Sequence, residues 1–228
     1  MLAVLYDIHA NLPALEAVLA EADSAGADSY LLGGDYAGLG PWPRETLARM
    51  RGLPRAEWIR GNWERWLGAP SQASDVPFVH SALAWALDAV SDEDIAELSS
   101  LPETVTIDGT LFSHGSPISD MRSFMPEPAG DEEELMGGAT ERRLIFGHTH
   151  LQFRRQGPGG VDLVNPGSVG LPFDGDTRAA FALIGDDGEL ELRRAAYDHE
   201  SVAAAIRERM PGFGTDLAQR IDTASPPS

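Results

Sequence analysis

The chain has 228 residues, of which 43% are hydrophobic and 23% are charged, as in an ordinary globular protein. It carries 36 acidic residues against 17 basic ones, and every basic residue is an arginine, so the formal net charge is -19. Such a surface disfavours binding to nucleic acid and to anionic membranes, which depends on basic patches. The chain has no cysteine, which excludes disulfides and thiolate metal ligands.

The N-terminal segment has no basic stretch ahead of its apolar run, and Asp7 and His9 interrupt that run. This pattern predicts a strand and a helix of the fold and not a signal peptide. Nowhere does the chain approach the ~18 unbroken apolar residues of a membrane span. We therefore expect a cytoplasmic protein with neither membranes nor nucleic acids among its partners.

The first 60 residues alternate short apolar runs, turns and helical stretches. This pattern predicts strands at 2–6, 30–32 and 57–59. It predicts helices at 13–25, at 43–50 and from 64 onward. The alternation is typical of an α/β domain.

The same pattern continues to about residue 150, after which the chain is β-rich. A helix at 91–100, a hairpin of strands at 105–107 and 110–112, an acidic helix at 131–141 and a strand at 144–146 are predicted. Further strands are predicted at 151–156, 161–164, 179–184 and 189–194, followed by a last helix at 201–210. The chain shows no repeat and no linker. We predict one domain over residues 1–222 and a flexible tail at 223–228.

Side chains that can bind a metal follow the predicted strands, at the point where each strand ends. They are Asp7, His9, Asp35, Asn62, His114, His148 and His150. In open α/β sheets, ligands bind beyond the carboxyl ends of the strands. We therefore expect these side chains to converge on one site.

Two of these motifs, Asp7-x-His9 and His148-x-His150, space their residues two positions apart. On an extended segment this spacing puts both side chains on the same side. Imidazole and carboxylate together suit borderline divalent ions such as Mn, Fe, Zn, Co or Ni. A lone Asp-x-His or Gly-Asp is weak, and Gly-His-Thr-His is moderately specific. Four of the six histidines lie in the strand-end motifs as a whole, which a scattered structural role would not predict. The sequence therefore predicts a divalent-metal site.

The series of motifs resembles the calcineurin-like metallophosphoesterase family, and within it the small bacterial and archaeal phosphodiesterases. Further likeness lies in DIHANLPALEAVL, which begins at Asp7, and in NPGSVG, which begins at Asn165. The likeness spans about residues 1–195. It implies an α/β fold, a four-layer α-β-β-α sandwich of two mixed β-sheets flanked by helices.

The resemblance also implies two divalent metal ions, with manganese favoured and Fe, Zn, Co, Ni or Mg as alternatives. One ion would be held by Asp7, His9, Asp35 and His150. The other would be held by Asp35, Asn62, His114 and His148, so that Asp35 bridges the two.

The reaction that the resemblance implies is hydrolysis of a phosphodiester or phosphomonoester by in-line attack of a metal-bridging hydroxide. Asp35, Asn62 and His114 would be the catalytic residues. The substrate would be a small phosphorylated molecule, with a nucleotide as one candidate. Two cations would offset the repulsion between this acidic protein and a phosphate. A homo-oligomer is compatible with the sequence.

The sequence departs from the family pattern at Trp63, because the family usually has a histidine after Gly-Asn. In the family that histidine is interpreted as a general acid for the leaving group or as a charge stabiliser. An indole cannot donate a proton at a useful pKa. Trp63 either stacks on an aromatic part of the substrate or fills the vacated space, and the sequence leaves both interpretations open.

Weaker candidates lie elsewhere in the chain. His80 is a candidate for the mouth of the site, although a structural role is favoured, and Arg122 and Arg178 are candidate phosphate contacts. The loop that begins at Asn165 offers backbone N–H groups to a phosphate. The acidic run at 132–134 is interpreted as a solvated helix face.

Two other functions stay open. A different metal-dependent hydrolase, for example one that cleaves amides, is disfavoured by a neutral ligand such as Asn62 and by the order of the motifs. A non-catalytic metal- or nucleotide-binding interaction module on the same fold is the second alternative, since a relative of this fold serves as a scaffold. In that relative the metal ligands are eroded, whereas here all seven are present.

Overall fold

The computed structural model describes residues 1–226, which form two five-stranded sheets with helices outside them. The first sheet contains, in spatial order, β10 (Leu190–Ala195), β9 (Ala179–Ile184), β1 (Leu2–Leu5), β2 (Ser29–Leu32) and β3 (Ala56–Trp58). The second contains β4 (Thr104–Ile107), β5 (Thr110–Ser113), β6 (Arg143–Ile145), β8 (Asp162–Pro166) and β7 (Gln152–Gln156).

Each sheet is mixed. The strands β1, β2 and β3 run parallel, as do β5, β6 and β8, and the remaining strands pair antiparallel to their neighbours. The predicted sandwich of two mixed sheets flanked by helices is therefore confirmed.

The longer helices are α1 (Leu12–Ser24), α2 (Pro43–Arg51), α3 (Asn62–Gly68), α4 (Pro77–Ala89), α5 (Asp92–Ser99), α7 (His199–Arg209) and α8 (Gly214–Thr223). The acidic helix predicted at 131–141 is only the short α6 (Glu132–Leu135), because Gly137 and Gly138 take positive φ and end it. None of the helices in the described part of the chain is long and apolar enough to cross a membrane.

Successive side chains of each strand point to opposite faces of the sheet, and this produces three apolar layers. In β1, Ala3 and Leu5 pack towards the helices of the first sheet, whereas Val4 faces the second sheet. In β6, Ile145 belongs to the layer between the sheets and Leu144 to the outer layer of the second sheet. The outer layer of the second sheet is covered by α6 and the loop before it, so the helical layer on this side is thin.

The C-terminal region differs from the prediction of one last helix followed by a tail. A second helix, α8, follows α7 and packs against it, with Leu217 and Ile221 buried. Within the tail predicted at 223–228, Thr223 is the last residue of α8 and Ala224 is buried, while residues 227–228 lie outside the described part of the chain. The sequence did not predict α8 because Gly212 and Gly214 indicate a turn and the residues that follow them are largely polar.

Candidate metal centre

The seven side chains predicted to bind metal lie together where the parallel strands of both sheets end. Asp7, His9 and His150 bring one possible ligand atom each to within 4.8 Å of one another, and so do Asp7, Asp35 and His114. The two groups share Asp7. The predicted convergence of strand ends from both sheets is therefore present in the fold.

The first group is built around two imidazoles. His9 Nε2 lies 3.2 Å from His150 Nε2, and His150 Nε2 lies 3.4 Å from Asp7 Oδ1. The Nδ1 atoms of both rings face backbone carbonyls, Gly38 O at 3.2 Å and Leu171 O at 2.6 Å, to which Nδ1–H donates. Both Nε2 lone pairs consequently point at the same place. A shared cation satisfies such an arrangement, and neutral imidazoles alone do not.

The second group extends from His114 to His148 through Asn62. Asn62 Oδ1 lies 3.0 Å from His114 Nε2 and 2.9 Å from His148 Nδ1, and Asp35 Oδ2 lies 3.4 Å from His114 Nε2. Burial opposes the charged imidazolium, yet the carboxylates of Asp35 and Asp7 raise the pKa of His114 to about 10. The centre therefore attracts positive charge.

The net pKa shift is opposite at His9 and His148, where burial dominates. Desolvation, reinforced by the neighbouring imidazoles His150 and His114, lowers the pKa of His9 and of His148 to about 4. Both rings are consequently neutral near pH 7, the form in which imidazole binds a metal.

Asp7 provides a direct test of whether a cation fits. Its side chain is fully buried, and its Oδ2 accepts a hydrogen bond from the backbone N–H of His148 at 3.0 Å. Its Oδ1 has no hydrogen-bond partner within residues 1–226. A buried carboxylate oxygen without a partner is costly, and a cation between Asp7, Asp35 and the imidazoles removes that cost. The donor set therefore fits divalent metal ions.

The backbone at these motifs is not extended, which corrects the argument made from the two-residue spacing. Asp7, His9, Asp35, His148 and His150 all have positive φ, between 48° and 68°. These are five of the ten non-glycine residues with positive φ in the described chain. Left-handed turns therefore bring the paired side chains together, and backbone strain of this kind is concentrated at functional sites.

Two glycines allow the loops to approach closely. A Cβ at Gly34 would lie 2.6 Å from the backbone N of Gly61 and 2.7 Å from His114 Nδ1. A Cβ at Gly61 would lie 2.3 Å from Asp35 Oδ1. The loops after β2 and β3 therefore need glycine at these positions.

Glu64 is a positioning residue that sequence reasoning missed. Its fully buried carboxyl group accepts hydrogen bonds from the backbone N–H groups of Asp35 and Tyr36, both at 2.8 Å, and of Gly61 at 2.9 Å. Burial, together with the charge of Asp35, raises the pKa of Glu64 to about 7, and the N–H donors oppose that shift. The signal was a glutamate three residues after Gly61, the spacing of a capping box.

The loop that begins at Asn165 supports the metal loops from behind. Asn165 Nδ2 donates to Gly147 O at 3.0 Å, and Ser168 Oγ donates to Asp7 O at 2.7 Å. The backbone N–H groups of residues 167, 169, 170 and 171 all donate to protein oxygens. These four N–H groups are therefore engaged within the protein and are not free to bind a phosphate, contrary to the expectation for them.

Comparison with known proteins agrees with this geometry. The sequence model of the calcineurin-like phosphoesterase superfamily domain matches residues 1–187. The chain belongs to this family. The uncharacterized protein MJ0912 of Methanocaldococcus jannaschii is 28% identical over 243 residues, which cover 97% of each chain.

Two solved structures match over nearly the whole chain. A metallophosphoesterase from Sphaerobacter thermophilus is 26% identical, with a TM-score of 0.80 and 98% of each chain covered. The hypothetical protein PH1004 from Pyrococcus horikoshii OT3 is 21% identical, with a TM-score of 0.86 and 100% of each chain covered, which shows a shared fold. The calcineurin-like phosphoesterases hydrolyse phosphoesters with divalent metals.

Within this calcineurin-like centre, Trp63 is a packing residue. Its side chain is 4% exposed and lies edge-on to Trp66, with ring centroids 5.4 Å apart. A Cβ at Gly38 would lie 2.4 Å from the indole, so the ring fills the space between α3 and the loop after β2. The geometry favours space filling over stacking on a substrate. Its backbone N–H donates to Asp35 Oδ1 at 3.0 Å.

The weaker candidates lie outside the calcineurin-like centre. His80 pairs with Asp75 on the exposed side of α4. Arg122 pairs with Asp131 and Glu134, and Arg178 pairs with Asp176. The acidic run at 132–134 is only partly solvated, because Glu132 is buried and pairs with Arg155.

Proposed function

We propose that this phosphoesterase binds two divalent metal ions and hydrolyses a small phosphodiester or phosphomonoester. The observation that carries the proposal is the set of acceptor atoms that face one another without a donor between them. Asp7 Oδ1 has no partner in the described chain, and the Nε2 lone pairs of His9 and His150 meet at 3.2 Å.

The proposed ligand sets are those that the family resemblance implies, and each contains members of the two groups of contacts. Asp7, His9, Asp35 and His150 would hold one ion, and Asp35, Asn62, His114 and His148 would hold the other. Asp35 suits the bridging role, since its Oδ2 lies 3.8 Å from His9 Nε2 and 3.4 Å from His114 Nε2. The mixture of imidazole, carboxylate and amide ligands suits manganese or iron, and we propose manganese.

Two ions held by these residues would supply positive charge for phosphoryl oxygens and would activate a water molecule for attack. The protein's own residues keep the geometry rigid. The carbonyls of Gly33, Gly38 and Leu171 each accept from a histidine Nδ1 and orient its ring. The ligands are supported before substrate arrives, which is the arrangement that electrostatic catalysis requires.

The proposed function is tested by turnover and metal content of the same preparations. Metal-free protein is reloaded with Mn²⁺ and assayed with bis(p-nitrophenyl) phosphate, p-nitrophenyl phosphate and a p-nitroanilide amide. We expect hydrolysis of a phosphoester and none of the amide. Hydrolysis of the amide alone would contradict the proposal, and hydrolysis of none of the three would favour a non-catalytic module.

The bridging role of Asp35 is tested by Asp35→Asn, with the exposed Asp88→Asn in α4 as the matched control. We expect Asp35→Asn to lower kcat/KM by at least about 100-fold and to lose bound Mn²⁺, because one ligand to each ion loses its charge. Asn62→Ala should reduce the affinity of mainly one site. Unchanged metal content and turnover in Asp35→Asn would refute the two-metal assignment.

A further inference from the structure

An apolar cavity opens beside the metal centre, on the side where His148 lies. It has a volume of about 470 Å³, and its lining includes Met121, Met125, Leu151 and Phe173. His148 lines the same cavity while its Nδ1 points into the cluster of proposed ligands. The cavity therefore borders the proposed metal centre at His148.

The side chains at this cavity suit a planar apolar group. Met121 is 40% exposed and Met125 is 42% exposed, and they are two of the four large apolar side chains that are exposed in residues 1–226. Thioethers adapt their shape and contact aromatic rings favourably. Phe173 is held in place by stacking on His150, with ring centroids 4.5 Å apart and an interplanar angle of 17°.

A second cavity beside the metal centre has different chemistry. A cavity of about 200 Å³ opens on His114, and its lining includes Ile118 but is mainly polar, with Arg65 and Asp120 among the charged residues. These two side chains pair with each other through contacts of 2.6 and 2.9 Å. An apolar ring would have to desolvate these charges, whereas it gains contact area beside the methionines. The difference between the two cavities therefore favours the one beside the methionines for such a ring.

We propose that Met121, Met125 and Phe173 form a subsite for a planar aromatic group of the phosphoester substrate, either an aryl ring or a nucleobase. This inference rests on the proposed function. It adds the substrate class and names three specificity-determining residues that take no part in binding metal.

The test uses the Mn²⁺-loaded full chain and ligands that differ only in the ring. Phenylphosphonate and methylphosphonate carry the same phosphonate group, and isothermal titration measures their dissociation constants. Adenosine 5′-monophosphate and ribose 5-phosphate, measured as competitive inhibitors of aryl diester hydrolysis, distinguish a nucleobase from an aryl ring. We expect the ring to tighten binding about tenfold in at least one of the two pairs.

The double variant Met121→Ala with Met125→Ala should reduce that preference to about twofold or less while leaving binding of the ring-free ligands unchanged. Val76→Ala, which removes another exposed apolar side chain outside this cavity, is the control. Melting temperatures show whether each variant is folded. Equal affinity for the members of both pairs, or a preference that survives in the double variant, would overturn the inference.

A failure of the subsite differs from a failure of the proposed function. Phosphoester hydrolysis without any effect of the ring refutes the subsite alone. A loaded protein that neither hydrolyses a phosphoester nor binds either phosphonate refutes the proposed function, and the subsite with it.

Discussion

Asp35 is the residue on which the contacts of the metal centre converge. Its Oδ2 faces two histidines, its Oδ1 accepts the backbone N–H of Trp63, and its own N–H donates to Glu64. Burial alone would raise the pKa of Asp35, but the interaction with His114 more than offsets burial and holds it well below its ordinary value. Asp35 is therefore an ionised carboxylate in the folded protein.

Glu64→Gln tests how Asp35 is positioned. The amide keeps the shape of the side chain but turns an NH₂ group towards backbone donors, which leaves a buried N–H without an acceptor. We expect the free energy of unfolding to fall by about 1–3 kcal/mol and Mn²⁺ affinity to fall about 10- to 100-fold. Calorimetric melting and metal titration measure the two effects.

The exposed Glu93→Gln in α5 is the control for this substitution. Full metal affinity in a destabilised Glu64→Gln would mean that the carboxyl group supports the fold only. The hydrogen bonds to Asp35 and Gly61 predict that Glu64→Gln loses both stability and Mn²⁺ affinity.

At the scale of strands and helices, a cluster of ion pairs links the first residues of β6 and β8 to the middle of β7. Asp162 accepts from Arg143 Nε at 2.8 Å and from Arg154 at 2.9 and 3.0 Å. Arg143 and Asp162 are also register partners in the sheet. Burial would raise the pKa of Asp162, but the hydrogen bonds from the two arginines lower it below its ordinary value.

The sign of this shift determines how stability depends on pH. A carboxyl group whose pKa is lower in the folded state stabilises the protein above its unfolded pKa of about 3.9, and the contribution is lost as the pH falls through the folded value. Asp162→Asn should therefore melt at a lower temperature than wild type at pH 7. The difference should shrink below about pH 4, whereas Asp88→Asn should follow wild type throughout. A difference in melting temperature that is the same at all pH values would contradict a stabilising role for the ionised Asp162 carboxylate.

The α8 helix contributes to the core of the first sheet's helical layer. Leu217→Ala removes a fully buried side chain there, so the free energy of unfolding in urea should fall by about 2–5 kcal/mol. Gln219→Ala, on the exposed side of the same helix, should change it by no more than about 0.5 kcal/mol. Similar values for the two variants would mean that α8 is not packed in solution.

At the scale of the whole molecule, the metal centre joins the two halves of the sandwich. The loops after β1, β2 and β3 belong to one sheet and those after β5 and β6 to the other, and their side chains meet only when the sheets face each other. Contacts such as that between His9 and His150 close over 141 residues of chain. Metal binding is therefore expected to stabilise the assembled sandwich.

Removal of the metal should lower the melting temperature of the whole domain. A metal bound only by the folded state at 100 times its dissociation constant adds about 2.7 kcal/mol of stability. Treatment with a chelator should therefore lower the melting temperature by several degrees, and Mn²⁺ should restore it. If the melting temperature does not change and the untreated protein holds no metal, the centre does not bind metal as proposed.

The sequence by itself determined the local features and their order. Apolar runs predicted nearly every strand, since a strand buried on both faces has a short continuous apolar signature. The residues that follow those runs, from Asp7 to His150, predicted a common site beyond the strand ends, although these strands belong to two sheets whose packing the sequence did not show.

Only the tertiary structure decided what depends on contacts between distant segments. The acceptor role of Glu64, the unpartnered Oδ1 of Asp7 and the burial of Trp63 arise from loops that other elements place against them. The positive φ angles at Asp7 and His9 replaced the extended backbone assumed from their spacing. The physical reason is that periodicity reports which face of an element is buried, whereas the partner of a buried polar group is set by the packing of elements far apart in the chain.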